Sequence, residues 1–423
     1  MIVYQLLTRL WGNGRMSAAD APFFSHLKTL GVSHVWYTGI ARHSTGQSFV
    51  KGDPGSPYAI HDHYDVNPYL ADDPDRRMEE FEALVRRTHD AGLKVVVDFI
   101  PNHVGRDYIG NVPHFDYGDY DWTDTLKIDY IDTRSWDEMT EVLRFWASKG
   151  VDGFRCDMVE LVPKPFLRYA ISNLKEQYPD VIFIAEAYNK DSYGEYTGLG
   201  FDYLYDKSGL YDVLLAMHEN RGTAKAISWN WQFLGDLQPK MLNFLENHDE
   251  IRFNNWAALH VSMLLNTAPF MIYFGEEVGE DASIEGNRRT SIFEWRHYPA
   301  IDRLYANIHG EGELTETEAE YLQRYREIAL IANEPAFQSG KTFDLCYANG
   351  PDQGFNQDKQ YAFLRSDGED TYLVVSNFDD CKVEMNINIP EHASEYLGVN
   401  LKAVENGVPV TVAARDAVII KIF

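Results

Sequence analysis

Cysteine is scarce in this chain: Cys156, Cys346 and Cys381 are the only three in 423 residues. An odd, widely spaced set gives neither a disulfide framework nor the paired spacing of a cysteine metal site. No run of about 18 apolar residues occurs, so no membrane-spanning helix is expected. Positive charge is short as well. Lys and Arg number 38 against 65 Asp and Glu, a formal net charge of −27. That balance argues against nucleic acid or an anionic membrane as a partner. The opening residues, Met1-Ile2-Val3-Tyr4-Gln5-Leu6-Leu7, lack the basic stretch, long apolar core and cleavage site of an export signal, and read as a strand instead. The expected setting is cytoplasmic; a secreted chain with its signal trimmed off would look the same.

What the chain does hold is apolar and aromatic mass. Hydrophobic residues make up 45 % and aromatics 14 %, with 26 Tyr and 9 Trp. The length suits roughly two or three domains. Eight apolar runs read as strands: Ile2–Leu7, Ser33–Thr38, Lys94–Phe99, Val151–Cys156, Val181–Ala185, Phe201–Tyr205, Leu242–Leu245 and Pro269–Phe274. Helical spacing lies between most of them, over Ala18–Leu30, Arg76–Ala91, Asp137–Lys149, Pro163–Gln177, Leu210–Glu219 and Asn255–Thr267, and a last long helix is predicted over Thr315–Ala332. Three of these helices are closed by a glycine: Gly31, Gly92 and Gly150. Apolar strands alternating with helices imply a parallel sheet, and eight of them an α/β (β/α)8 TIM barrel.

From about residue 340 the pattern turns to short alternating or β-branched strands with no helix, which predicts a C-terminal antiparallel β domain. The expected division is a barrel over 1–340, with a short irregular insertion at about 104–128, and a β domain over 341–423. Residues 39–75 read as a long polar loop, a length that is usually functional.

The chemistry-bearing residues cluster at strand ends. Gly153-Phe154-Arg155-Cys156-Asp157 ends a strand, and alternation puts Arg155 and Asp157 on one side, with Cys156 pointing away as a core residue. A cation beside a carboxylate favours the ionised acid, which suits a nucleophile. Asp98 leads into Pro101-Asn102-His103, Glu186 follows Phe183-Ile184-Ala185, and Glu246-Asn247-His248-Asp249 follows a fourth strand. Barrel active sites are built at such C-terminal strand ends.

These stretches resemble the α-amylase superfamily, glycoside hydrolase family thirteen. Asp98 with Asn102 and His103 is similar to the first signature of that family, Gly153–Asp157 to the second, Glu186 in Ile184-Ala185-Glu186-Ala187 to the third, and Asn247-His248-Asp249 to the fourth. Tyr4-Gln5 with Thr8-Arg9, Tyr58 with Asp62 and Tyr64, and Ile272–Glu277 also match. The resemblance implies a retaining glycosidase with Asp157 as nucleophile, Glu186 as acid and base, and Asp249 as the third catalytic carboxylate. It implies that Tyr58, Asp62, His103, Arg155 and His248 hold the sugar, with an oligosaccharide or polysaccharide as the partner molecule. It also implies a structural calcium ion held by Asn102 and by Asp129 or Asp124. Asp98 reads as an orienting residue for Arg155. His61, His63 and His114 read as loop-surface residues, and Trp122, Trp229, Trp231 and Trp295 as candidates for outer sugar subsites.

Two departures bear on specificity. The insertion after strand three is short, and Glu160-Leu161 stand where many starch-cleaving members have Lys-His. The leading expectation is hydrolysis of α-glucosidic bonds in maltooligosaccharides or related α-glucans. The alternatives are a transglycosylase or sugar isomerase on the same residues, a non-catalytic glucan-binding member, and a barrel metallohydrolase using Asp98, His103, His248 and Asp249.

Overall fold

The computed structural model describes residues 1–118, 122–404 and 406–423. Eight strands close into a parallel barrel whose ring order follows the sequence: β1 (Ile2–Leu7), β2 (His34–Thr38), β3 (Lys94–Phe99), β4 (Gly153–Cys156), β5 (Ile182–Ala185), β6 (Tyr203–Tyr205), β7 (Met241–Phe244) and β8 (Phe270–Tyr273), which returns to β1. All six residues of β1, and all four of β4, β7 and β8, are buried. Strands covered on both faces are apolar over most of their length, with Gln5, Arg155 and Asn243 as the polar exceptions here. The register levels the strand ends. Asp98 lies opposite Arg155, and Cys156 lies opposite both Phe99 and Ala185, so the residues just beyond them, Asp157 and Glu186, emerge at one rim.

The helices form where the spacing predicts them. Asp20 caps α1 (Ala21–Thr29) by accepting from the Phe23 N–H, and Pro22 occupies the first turn, where an N–H has no partner to lose. Along α2 (Arg77–Asp90) the buried residues Phe81, Leu84, Val85 and Thr88 fall at i, i+3, i+4 and i+7, one face of the helix. Gly92 follows α2 with a φ of +79°, a left-handed turn that glycine adopts without strain. The third and fourth helices, Arg134–Ser148 and Lys164–Gln177, start within three residues of expectation.

Several local features differ from expectation. The 39–75 segment holds a two-stranded ribbon, Ala41–His43 against Ile60–Val66. The 104–128 region forms a small sheet of His103–Gly105, His114–Phe115 and Thr125–Ile128, and residues 119–121 lie outside the described residues. Helices Tyr193–Leu199, Lys225–Leu234 and Pro299–Ile308 were not anticipated. A seven-residue helix, Glu391–Leu397, interrupts the C-terminal region that was expected to hold none. The ribbon and the small sheet rest on non-local pairing and two of the helices run only seven residues, so sequence period carries little trace of them; the ten-residue helices Lys225–Leu234 and Pro299–Ile308 bury one face each, a signal that was there to read.

The chain divides into two compact units. The first comprises Met1–Tyr205, Glu246–Arg252 and Met271–Gln323, with β1–β6 and the strand-end acids. The second comprises Asp206–Leu245, Phe253–Phe270 and Arg324–Phe423. Within it, an antiparallel sheet pairs β9 (Lys341–Asp344), β10 (Gln360–Ser366), β11 (Thr371–Asn377) and β14 (Asp416–Lys421), and β12 (Val383–Ile387) pairs with β13 (Val408–Val412). The buried Arg365 guanidinium donates to the carbonyls of Leu264, Ala336, Phe337 and Gly340, so its burial is met by hydrogen bonds. The three cysteines are free, with Cys156 and Cys346 buried. Among the described residues no helix is long and apolar enough to cross a membrane.

Candidate active site

Arg155 stands at the centre of the first unit with no exposed surface. Its Nη1 lies 2.6 Å from Asp157 Oδ1 and 3.8 Å from Asp98 Oδ1, and its Nη2 lies 2.9 Å from Glu186 Oε2 and 3.9 Å from Asp249 Oδ2. The faces of Trp36, Tyr58 and Tyr205 surround the guanidinium at 5.4–5.5 Å. One buried cation thus serves four carboxyl groups. A buried charge is tolerated only when it is paired this closely.

The carboxyl groups differ in environment, and their pKa values separate. Burial pushes Glu186 up to about 7, with the nearby Asp157 and Asp249 adding to the rise and Arg155 opposing it. Its Oε1 accepts from Tyr188 Oη at 2.6 Å and its Oε2 from Met158 N at 2.7 Å. Met158 takes the left-handed conformation (φ +46°), uncommon for a residue with a side chain, and its N–H bonds Glu186 from there. Burial also raises Asp157 from the ordinary carboxylate value, outweighing the pull of Arg155 that was expected to keep it ionised. Asp157 Oδ2 is buried with no hydrogen-bond partner among the described residues, while Oδ1 is held by Arg155. Asp249 is buried around its carboxyl, yet His248 and Arg155 outweigh that and hold it down at about 2. Its side chain keeps 37 % exposure.

The ring-bearing residues gather beside these acids. His248 Nε2 lies 2.5 Å from Tyr58 Oη and 3.1 Å from Asp249 Oδ2, and Gln5 Nε2 meets its Nδ1 at 2.7 Å. Tyr58 stacks on His248 with centroids 5.2 Å apart. Burial pulls His103 down to about 4, leaving a neutral imidazole at physiological pH. Tyr58, His103, Asp157, Glu186, His248 and Asp249 all line one cavity of about 250 Å³. Asp98 orients rather than lines: its Oδ1 accepts from Tyr58 Oη at 3.5 Å and its Oδ2 from Gly39 N at 3.4 Å.

Other expectations fall away. Asp62 is not brought to the cavity; it sits in the ribbon strand and its Oδ1 accepts from Tyr64 N. Of the four tryptophans, Trp122 lines the cavity, against His103 at 5.6 Å, and the other three do not. His63 is buried rather than at the loop surface, and burial pulls it down to about 3. Sequence reasoning missed Tyr188 and Lys51. Tyr188 had a readable signal, since it lies two residues past Glu186, on the same side of an extended chain.

The donors expected for calcium are engaged to different degrees. Asn102 Oδ1 is buried without a partner, which suits a cation. Asp124 instead pairs with Lys51 Nζ at 3.4 Å, and Asp129 Oδ1 accepts from Ile131 N. No group of three His, Cys, Asp or Glu able to hold a metal occurs among the described residues.

Comparison with known proteins agrees with this geometry. Residues 24–130 match the family model of the alpha-amylase catalytic domain. The chain is 24 % identical over 323 residues to Alpha-amylase 3 of Dictyoglomus thermophilum, covering 62 % of each chain. It is 30 % identical over 202 residues to an Alpha-1,4-glucan:maltose-1-phosphate maltosyltransferase of Cereibacter sphaeroides, covering 39 % of this chain and 32 % of that one. It therefore spans about three fifths of the first of these curated relatives and about a third of the second. Its fold is that of a solved alpha-amylase from Lactobacillus plantarum, with a TM-score of 0.74, 21 % identity, and coverage of 99 % of this chain and 98 % of that one. With the four signature stretches converging on one barrel rim, the chain is similar to members of the α-amylase superfamily in its matched segment and in its fold.

Proposed function

We propose that the chain is a retaining glycosidase that cleaves α-glucosidic bonds in maltooligosaccharides or related α-glucans through a covalent glycosyl-enzyme. The observation that carries this reading is the pairing of an unpartnered Asp157 Oδ2 with a Glu186 held near pKa 7 across one arginine. Carboxyl groups whose environments drive their pKa values apart mark the acid and base assignments.

In the first step Asp157 Oδ2 attacks the anomeric carbon, Glu186 gives its proton to the leaving oxygen, and the bond between that carbon and that oxygen breaks. Glu186 is then a carboxylate. It takes a proton from water, whose oxygen attacks the same carbon and releases Asp157. Arg155 holds Asp157 through Oδ1 and leaves Oδ2 for chemistry. Asp249, ionised, and His103, neutral, offer hydrogen bonds to ring hydroxyls, and Tyr58 provides an aromatic face. Bonds to hydroxyls that strengthen as the ring distorts lower the barrier rather than merely tightening binding.

The test is product analysis of the wild type and Asp157→Asn on maltooligosaccharides, starch, pullulan, sucrose and trehalose, with the anomeric form of fresh products read by NMR. Sugar release by wild type alone, in the α configuration, is the expected result. β products would remove the retaining mechanism, and sugar release by both proteins would remove the nucleophile. A second reading, transfer to another sugar, is favoured by the likeness to a maltosyltransferase. Products longer than the substrate would select it.

A further inference from the structure

Two of the segments that line the cavity are rooted in the half of the barrel ring opposite β5, the strand that delivers Glu186. In the barrel ring β1 stands four places from β5, so the two face each other across the barrel. The segments that follow β2 and β8, the two neighbours of β1 in the ring, meet each other and both reach the cavity. Lys51 and Ser56 from the first and Ile292 and Phe293 from the second line the cavity.

Three features join these segments. Arg9, just past β1 and 4 % exposed, donates to Gly55 O at 3.2 Å and also to Ile292 O. Trp295 Nε1 donates to Asp53 Oδ2 at 3.0 Å. At Gly52, with φ +70°, the backbones touch: a Cβ there would lie 1.7 Å from the Phe293 carbonyl oxygen. Only glycine permits so close an approach. The wall is thus a junction tied by a buried guanidinium, not two loops that happen to lie near each other.

The acid must lie beside the leaving group, because it protonates that oxygen. The sugar being transferred, and any units before it, therefore extend away from Glu186 and toward the joined segments. We infer that this junction closes the glycone side of the cavity, so that the site accepts the non-reducing end of an α-glucan and releases one or two units at a time. The inference rests on the hydrolase reading and adds to it the mode of attack. The cavity volume, about 250 Å³, is below the roughly 300–1,000 Å³ of common ligand pockets, in keeping with one or two rings.

The experiment uses maltoheptaose labelled at its reducing end, with and without an ethylidene block on the non-reducing glucose. The first labelled products from the free substrate are expected to be one or two units shorter than it. The blocked substrate is expected to be cut at least about 100-fold more slowly, a discrimination read as a ratio of kcat/KM values. Gly52→Ala must part the two segments, and is expected to shrink that ratio about tenfold, or about 1.4 kcal/mol. Trp295→Phe, which keeps an aromatic side chain but drops the N–H, should shrink it in the same direction. Because each ratio is taken within one protein, a general loss of folding or rate cancels. Equal cleavage of both substrates, with products of mixed length from the start, overturns the inference and leaves the hydrolase reading intact. Cleavage of neither overturns both.

Discussion

Tyr188→Phe removes one hydroxyl, the donor 2.6 Å from Glu186 Oε1. That bond is made to the carboxylate and favours the ionised form, so its loss must raise the Glu186 pKa. Hydrogen bonds to charged groups contribute about 1.5–3 kcal/mol. At ~1.36 kcal/mol per pKa unit this corresponds to about one to two units. The Met158 N–H and Arg155 remain in place, and Tyr188 is half-buried, so water reaches part of the vacated space. The lower figure therefore applies, and Glu186 should move from about 7 to about 8. Glu186 works as the acid when protonated, so the alkaline limb of kcat/KM against pH should move up by about one unit. That profile reports the free enzyme. Below pH 6 the two proteins should differ only a few-fold. An alkaline limb that stays in place or moves down would refute either the Tyr188 bond or the assignment of Glu186.

Three further outcomes are expected. Asp157→Asn should fold with an unchanged melting temperature and lose at least about 10⁴-fold in kcat; a melt and a product assay check both, and substantial residual turnover would break the nucleophile assignment. Glu186 is lifted from the ordinary 4.5 to about 7, so the folded chain binds more protons than the unfolded chain between those values and loses stability as pH rises through that window. Glu186→Gln removes that loss and should be more stable than wild type by up to about 3 kcal/mol at pH 8 but not at pH 4.5, a difference that urea melts at the two pH values would show or deny. Chelation should leave the melting temperature unchanged, because Lys51 already neutralises Asp124 and Ile131 N engages one oxygen of Asp129; a drop reversed by added calcium would place a cation at Asn102.

Much of the barrel was legible in the linear chain, for a physical reason. A strand covered on both faces must be largely apolar, and a helix lying on it must show a 3.6-residue stripe, so both leave local marks. Lys94–Phe99 was read to the residue, and α2 within one residue at each end. The carboxylates were legible because parallel strands end level, which brings strand-end residues together whatever their distance in sequence. What lacked a local mark was missed: the ribbon Ala41–His43 with Ile60–Val66, the small sheet at His103–Gly105, and the helix Glu391–Leu397.

The chain by itself determined which groups stand at the rim: Asp157, Glu186, Asp249, and an arginine two residues before the first. Pattern and spacing were enough for that, since each is a property of one strand and its end. Tertiary structure alone decided what those groups became. Glu186 rises to about 7 and Asp249 falls to about 2 because burial and neighbouring charge, contributed from other strands, act on each differently. Asp62 was lost from the site and Tyr188 and Lys51 were gained for the same reason, because a side chain's reach into a cavity depends on the fold around it. The junction at Gly52 and Phe293, which sets which part of a substrate can enter, joins residues more than two hundred positions apart and has no counterpart in local sequence.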